Sequence, residues 1–70
     1  MSNSNNESDS EELAVMLLRE TEKAYLLKHI HTEKEAWFPK SQISFEYFNP
    51  EKLKGSVVIP TWLLEKKEWL

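Results

Sequence analysis

The sequence predicts an α+β domain, a small antiparallel β-sheet or half-barrel of SH3-like or OB-like size with one C-terminal helix. Three observations carry this. Short apolar, β-branched and aromatic segments recur between polar or proline-bearing breaks, as strands do. Pro39 and Pro60 stand at the ends of two such segments, where a residue without an N–H belongs. The stretch after Pro60 carries Trp62, Leu63, Lys66 and Trp69 at near-helical spacing.

The elements follow in order. Residues 1–12 include one apolar residue and four carboxylates with no Lys or Arg, and are expected to be a disordered acidic tail. Residues 13–19 and 24–30 are apolar and separated by Glu20-Thr21-Glu22-Lys23, which predicts two strands and a tight turn. A helix over residues 11–29 is the rival, because Leu, Ala, Met, Glu and Lys favour it. Its periodicity is poor: residues 13–18 are apolar on every side and the next turn is wholly polar. Residues 34–38 form a third strand that Pro39 stops. Residues 44–48 form a fourth, with Phe45 and Tyr47 on one face and Ser44, Glu46 and Phe48 on the other. Asn49-Pro50 turns the chain, residues 51–55 form a polar loop with the only glycine, and residues 56–59 are the fifth strand. Pro60 opens a helix to about Trp69, whose stripe of Trp62, Leu63 and Lys66 is expected to cover the sheet. The domains are thus a tail, 1–12, and one body, 13–70.

Composition excludes several functions. Seventy residues make one domain with a marginal core. With no cysteine there is no disulfide or thiolate metal site, which suits a reducing cytoplasm. No secretory leader and no spanning apolar run occur in the sequence, so a membrane partner is not expected. Residues 13–70 hold nine Lys/Arg and eight Asp/Glu. That near balance lacks the basic face of a duplex-DNA binder.

The order Glu20-Thr21, Lys23-Ala24 and Leu26-Leu27, then Trp37-Phe38-Pro39-Lys40-Ser41-Gln42-Ile43, then Ile59-Pro60, Trp62-Leu63 and Glu65-Lys66-Lys67 resembles a set of small uncharacterised proteins encoded by phages, prophages and plasmids. The resemblance covers roughly residues 20–69, and its most specific string is Trp-x-Pro-Lys-Ser-Gln-Ile. It implies a mobile-element origin and brings no catalytic residue or cofactor with it.

Catalysis finds little footing. Ser41 beside Lys40 lacks an orienting group and a glycine-built oxyanion hole, and a turn role, bonding to the local backbone, fits Ser41 or Gln42 better. His29 and His31, two apart on a strand, would share a face with Glu33 or Glu35 nearby, but there is no third histidine for a metal. No enzyme activity, metal or cofactor is expected. The eight aromatic residues are the stronger lead, since so small a core cannot bury them all. Strand alternation exposes one of Trp37 and Phe38, and separates Phe48 from Phe45 and Tyr47. The candidate binding residues are Trp37, Phe38, Lys40, Tyr47 and Phe48. The expected function is a non-enzymatic protein-interaction module of mobile-element origin that modulates or inhibits a host machine. The alternative is single-stranded nucleic-acid binding on an aromatic and basic sheet face, with Arg19, Lys23, Lys28 and Lys40 tracking phosphates. A homodimer through the sheet edge beside Pro39 is a further partner expectation.

Overall fold

The computed structural model describes residues 9–70. Five strands and one helix follow in sequence: β1 Ser10–Glu20, β2 Ala24–His29, β3 Glu35–Pro39, β4 Ser44–Asn49, β5 Lys54–Pro60 and α1 Thr61–Lys66. A 3₁₀ turn, Lys40–Gln42, connects β3 to β4. The strands make one antiparallel sheet in the order β3-β2-β1-β5-β4. The expected α+β sheet with a C-terminal helix is therefore present, and residues 11–29 form a hairpin rather than a helix. The Tyr25 and Phe45 rings, from β2 and β4, meet at 5.3 Å. The sheet is accordingly curled, with a concave and a convex face.

β1 is the spine. It pairs with β2 on one side and β5 on the other, from Ser10↔Pro60 to Glu20↔Tyr25. This corrects the boundary of the acidic tail. Ser10, Glu11 and Glu12 sit in the ladder opposite Pro60, Ile59 and Val58, and the Ser56 hydroxyl donates to Glu12 Oε2 at 2.6 Å. Backbone pairing orders these residues despite their polarity. The rest of the expected tail, residues 1–8, lies outside the described residues.

Directly paired residues share a face. Val15, Leu17, Leu27, Phe38, Val57 and Ile59 therefore point into the concave side, where Val15, Leu27, Phe38, Val57 and Ile59 are fully buried. Two irregularities adjust the pattern, one between Leu17 and Arg19 and one between Phe45 and Tyr47. At the second, the extra residue Glu46 shifts the alternation. Phe45 pairs with Val57 and Phe48 with Gly55, so both rings face inward and meet at 5.3 Å, while Tyr47 points outward. The expected grouping of Phe45 with Tyr47 is thus overturned by a bulge, which re-aims every residue beyond it.

Gly55 belongs to β5 rather than to a loop. A Cβ there would fall on the Tyr47 carbonyl oxygen and crowd Phe48, so the close approach of β4 requires glycine.

The β2–β3 and β4–β5 connections are built alike. In each, the last strand residue accepts a backbone bond from the residue four further on, His29 from Glu33 at 2.7 Å and Asn49 from Leu53 at 2.8 Å. Glu33 and Leu53 both take the left-handed conformation, with φ of 65° and 58°. In each, the side chain of the first residue caps two N–H groups. Asn49 Oδ1 accepts from Glu51 and Lys52, and His29 Nδ1 accepts from His31 and Thr32.

The helix is shorter than expected and packs differently. It ends at Lys66, and Glu68 turns left-handed with φ 64°. The Trp69 N–H reaches Leu64 O at 2.9 Å and the Glu68 N–H reaches Glu65 O at 3.0 Å, which is a Schellman closure with glutamate in the usual glycine place. Lys34 Nζ donates to Glu68 O at 2.8 Å and fixes this end to the β2–β3 turn. The buried residues are Leu63, Leu64 and Trp69, whereas Trp62 is 54% exposed and Lys66 is exposed. Trp62 thus does not cover the sheet. The covering ring is Trp69, delivered by the reversed end of the helix, 4.9 Å from Phe38 and 5.3 Å from His29.

Candidate functional site: an aromatic groove on the concave face

Among the described residues, the concave face is only partly covered. α1 and Trp69 lie over Val15, Phe38, Val57 and Ile59. Toward the β1–β2 turn, Leu17, Glu20, Tyr25, Phe45 and Phe48 line an open groove of about 260 Å³. Each lining residue arrives by a traceable route. Tyr25 and Glu20 are cross-strand partners, and Leu17 pairs with Leu27 just before the β1 irregularity. Phe45 and Phe48 both face inward because of the β4 bulge. The rings interlock edge to face, Tyr25–Phe45 at 90° and Phe45–Phe48 at 69°, the favourable arrangement for aromatic quadrupoles.

One charge pair stands at the mouth. Lys40 Nζ lies 2.5 Å from Glu20 Oε2 and 4.9 Å from the Tyr25 ring centre. The 3₁₀ turn places it: after Pro39, the Lys40 N–H bonds to Lys23 O at 2.8 Å, which ties the turn to the β1–β2 connection. No side-chain cap closes that turn, so the expected backbone bonding by Ser41 or Gln42 is not what holds it. Both Ser41 and Gln42 are exposed, and the Lys40 ammonium reaches Glu20.

The five candidate binding residues separate into three places. Phe48 lines the groove and Lys40 stands at its mouth. Trp37 and Tyr47 lie on the convex face, 40% and 62% exposed, on the two outermost strands of the sheet. Three strands of the sheet, β2, β1 and β5, lie between theirs in the pairing order. Phe38 is fully buried under Trp69 and cannot touch a partner. Alternation of Trp37 and Phe38 thus holds, with Trp37 outward. Sequence reasoning left Tyr25, Phe45, Leu17 and Glu20 out of the site. Tyr25 and Glu20 flank the β1–β2 turn, a signal that was available, whereas the bulge that turns Phe48 toward Phe45 has no mark in the sequence.

The histidine pair is not a shared strand face. β2 ends at His29, and His31 stands in the turn, with ring centres 5.8 Å apart. His29 Nδ1 is committed to two backbone donors. Partial burial, then His31, then Lys34 hold the His29 pKa below its ordinary value. Among the described residues no group of three or more His, Asp or Glu is placed to hold a metal. Among them also, no helix is long and apolar enough to cross a membrane. Compared with protein families, curated proteins and solved structures, the chain matches none.

Proposed function

We propose that this protein is a non-enzymatic protein-interaction module whose docking surface is the uncovered half of its concave face. The observation that carries the proposal is the groove itself: three edge-to-face aromatic rings and Leu17, all half-buried, line an open concavity beside the sealed core. Aromatic side chains anchored on rigid strands supply contact area at low ordering cost, which suits a protein partner. Following the resemblance in the Trp37–Ile43 string, we place the module in the cytoplasm of a cell hosting a phage or other mobile element, where it modulates or inhibits a host assembly. Single-strand nucleic-acid binding is the weaker alternative, because the Glu20 carboxylate lines the groove and engages the lysine nearest the rings. A phosphate chain would meet that carboxylate directly.

Photo-crosslinking tests the docking surface. Benzoylphenylalanine replaces Phe48 in one preparation and the exposed Trp62 or Leu70 in others, each irradiated in lysate of the carrier cell. The expected result is a discrete adduct from position 48 that unlabelled protein competes away and that the control positions do not give. Equal labelling from all three positions would remove the groove as the docking surface. A salt-dependent affinity for a ten-residue oligothymidine, measured in parallel, would shift the groove to the nucleic-acid alternative.

A further inference from the structure

The sheet edge beside the groove indicates how the groove is filled. We infer that it takes an extended segment of a partner polypeptide, which adds as a further strand antiparallel to β4 and aims apolar side chains two residues apart into the groove. The inference rests on the docking function proposed above and assigns its mode of recognition and the kind of segment recognised.

β4 is an outermost strand and pairs only with β5. Main-chain bonds fix which of its groups are free. At the two ends of the β1–β5 ladder, Thr61 N–H donates to Asp9 O at 3.2 Å and Leu17 N–H donates to Leu53 O at 2.7 Å. Main-chain groups along an antiparallel strand turn alternately to its two sides. Gly55 and Val57, on the same alternation as Leu53 and Thr61, therefore turn theirs toward β1. Their partners on β4 are Phe48 and Phe45. The N–H and C=O groups of Phe45 and Phe48 accordingly point to the open edge, where no hydrogen bond reaches them among the described residues. The same two residues send their rings into the groove.

An apolar groove alone accepts any apolar surface. One bordered by free main-chain donors and acceptors selects a polypeptide in extended form, because a helix already bonds its main-chain groups internally. The bulge sets the pattern of that segment. Phe45 and Phe48 are three apart, yet they stand opposite residues two apart on a regular strand, as Val57 and Gly55 show on the β5 side. Directly opposite residues share a face. The two ligand residues facing Phe45 and Phe48 thus enter the concave side near Leu17 and Tyr25, and the residue between them points outward beside Tyr47. β3, the other edge strand, lacks this combination, since Phe38 is sealed under Trp69 and Pro39 has no donor. A second copy of β4 would satisfy the main chain, but its Phe45 and Phe48 rings are packed on each other and on Tyr25. Such a pairing would leave both grooves open.

The test is titration of ¹⁵N-labelled full-length protein by NMR, with amide hydrogen exchange read at saturation. The probes are three acetylated, amidated heptapeptides of sequence Thr-Lys-Val-Thr-Val-Lys-Thr. One is unmodified, one is N-methylated at both valines, and one is N-methylated at the central threonine and the second lysine. The unmodified peptide is expected to shift Tyr25, Phe45 and Phe48 saturably and to slow exchange of the Phe45 and Phe48 amides. Methylation at the valines removes the donors that face β4 and should weaken binding at least about tenfold. Methylation at the other two positions should change it little. Equal binding, or equal loss, with the two methylated peptides would overturn strand addition. Shifts centred on Glu35 and Trp37 would place the strand on the other edge and overturn it as well. Slow exchange at Phe45 and Phe48 before any peptide is added, deepening with protein concentration, would give the edge to a second copy, again overturning it. No saturable shift with any peptide would also overturn strand addition. The docking surface would then stand if the position-48 crosslink in lysate persists, and would fall with the inference if that crosslink is absent too.

Discussion

His29 and Asn49 hold equivalent positions in two matching turns, yet only one of them titrates. Both cap a pair of backbone N–H groups, one with a ring nitrogen and the other with an amide oxygen. Only neutral imidazole can accept those bonds at Nδ1. The folded state lowers the His29 pKa, so between the unfolded value, about 6.5, and the lower folded value the unfolded chain binds more protons. Stability is then full above that window, falls as pH drops through it, and levels once the folded histidine is also charged. Urea midpoints from pH 7.5 to pH 5 should show this decline, and His29→Asn, which supplies an oxygen as Asn49 does, should flatten it. An unchanged slope in His29→Asn would mean that the cap contributes nothing. At the other end of the chain, Glu68 sits left-handed where glycine costs least. Glu68→Gly is expected to raise stability by about 0.5–1 kcal/mol, read as a higher melting temperature. The tryptophans differ sharply. Trp62→Ala should cost less, about 1–2 kcal/mol, because only about half of its surface is buried. Trp69→Ala should cost about 3–5 kcal/mol, since it removes the ring that covers Phe38. Thermal melts of the two variants rank them directly.

The elements were mostly legible because each strand announces itself by composition and each stop by a proline or a polar run. β3 ends at Pro39 and β5 at Pro60, as their N–H-less residues require. The departures have physical causes of two kinds. Irregularities after Leu17 and Phe45 move side chains across the sheet, and a bulge is decided by pairing partners rather than by the strand's own residues. The polar start of β1 is ordered by a ladder with β5 that apolar content cannot reveal. Deleting residues 1–12 should therefore lower stability by about 1–3 kcal/mol, since it strips three paired positions and the Glu12–Ser56 bond. Deletion of 1–8 leaves that ladder in place, so comparison of the two melts isolates its contribution. Gly55→Ala should cost about 1–3 kcal/mol, because the clash is with main-chain oxygen and cannot be relieved by a rotamer change.

Across the whole molecule, sealing is unequal. α1, reversed at Glu68 and held by Lys34, carries Trp69 over one part of the concave face, and the part near Glu20 is left open. The aromatic surplus in the sequence points to rings beyond what the core can hide; the rings that cluster, Tyr25, Phe45 and Phe48, are half-buried, whereas Trp37, Tyr47 and Trp62 are the exposed ones. Where rings cluster depends on which strands lie side by side, and the order β3-β2-β1-β5-β4 brings Tyr25 of β2 within reach of Phe45 of β4 only through curvature. The same order sends Trp37 and Tyr47 to opposite margins of the convex face, so the residues first grouped as one site serve different surfaces.

Gly55 has a consequence for how such a chain can diverge. A side chain at 55 would meet the Tyr47 carbonyl oxygen first and the Phe48 main chain and ring behind it. Shrinking the ring at 48 therefore makes no room, because the barrier is backbone of the neighbouring strand. In a collection of descendants, position 48 can drift while 55 stays glycine. A relative bearing valine at 55 with β4 still paired to it would contradict the close approach of β4.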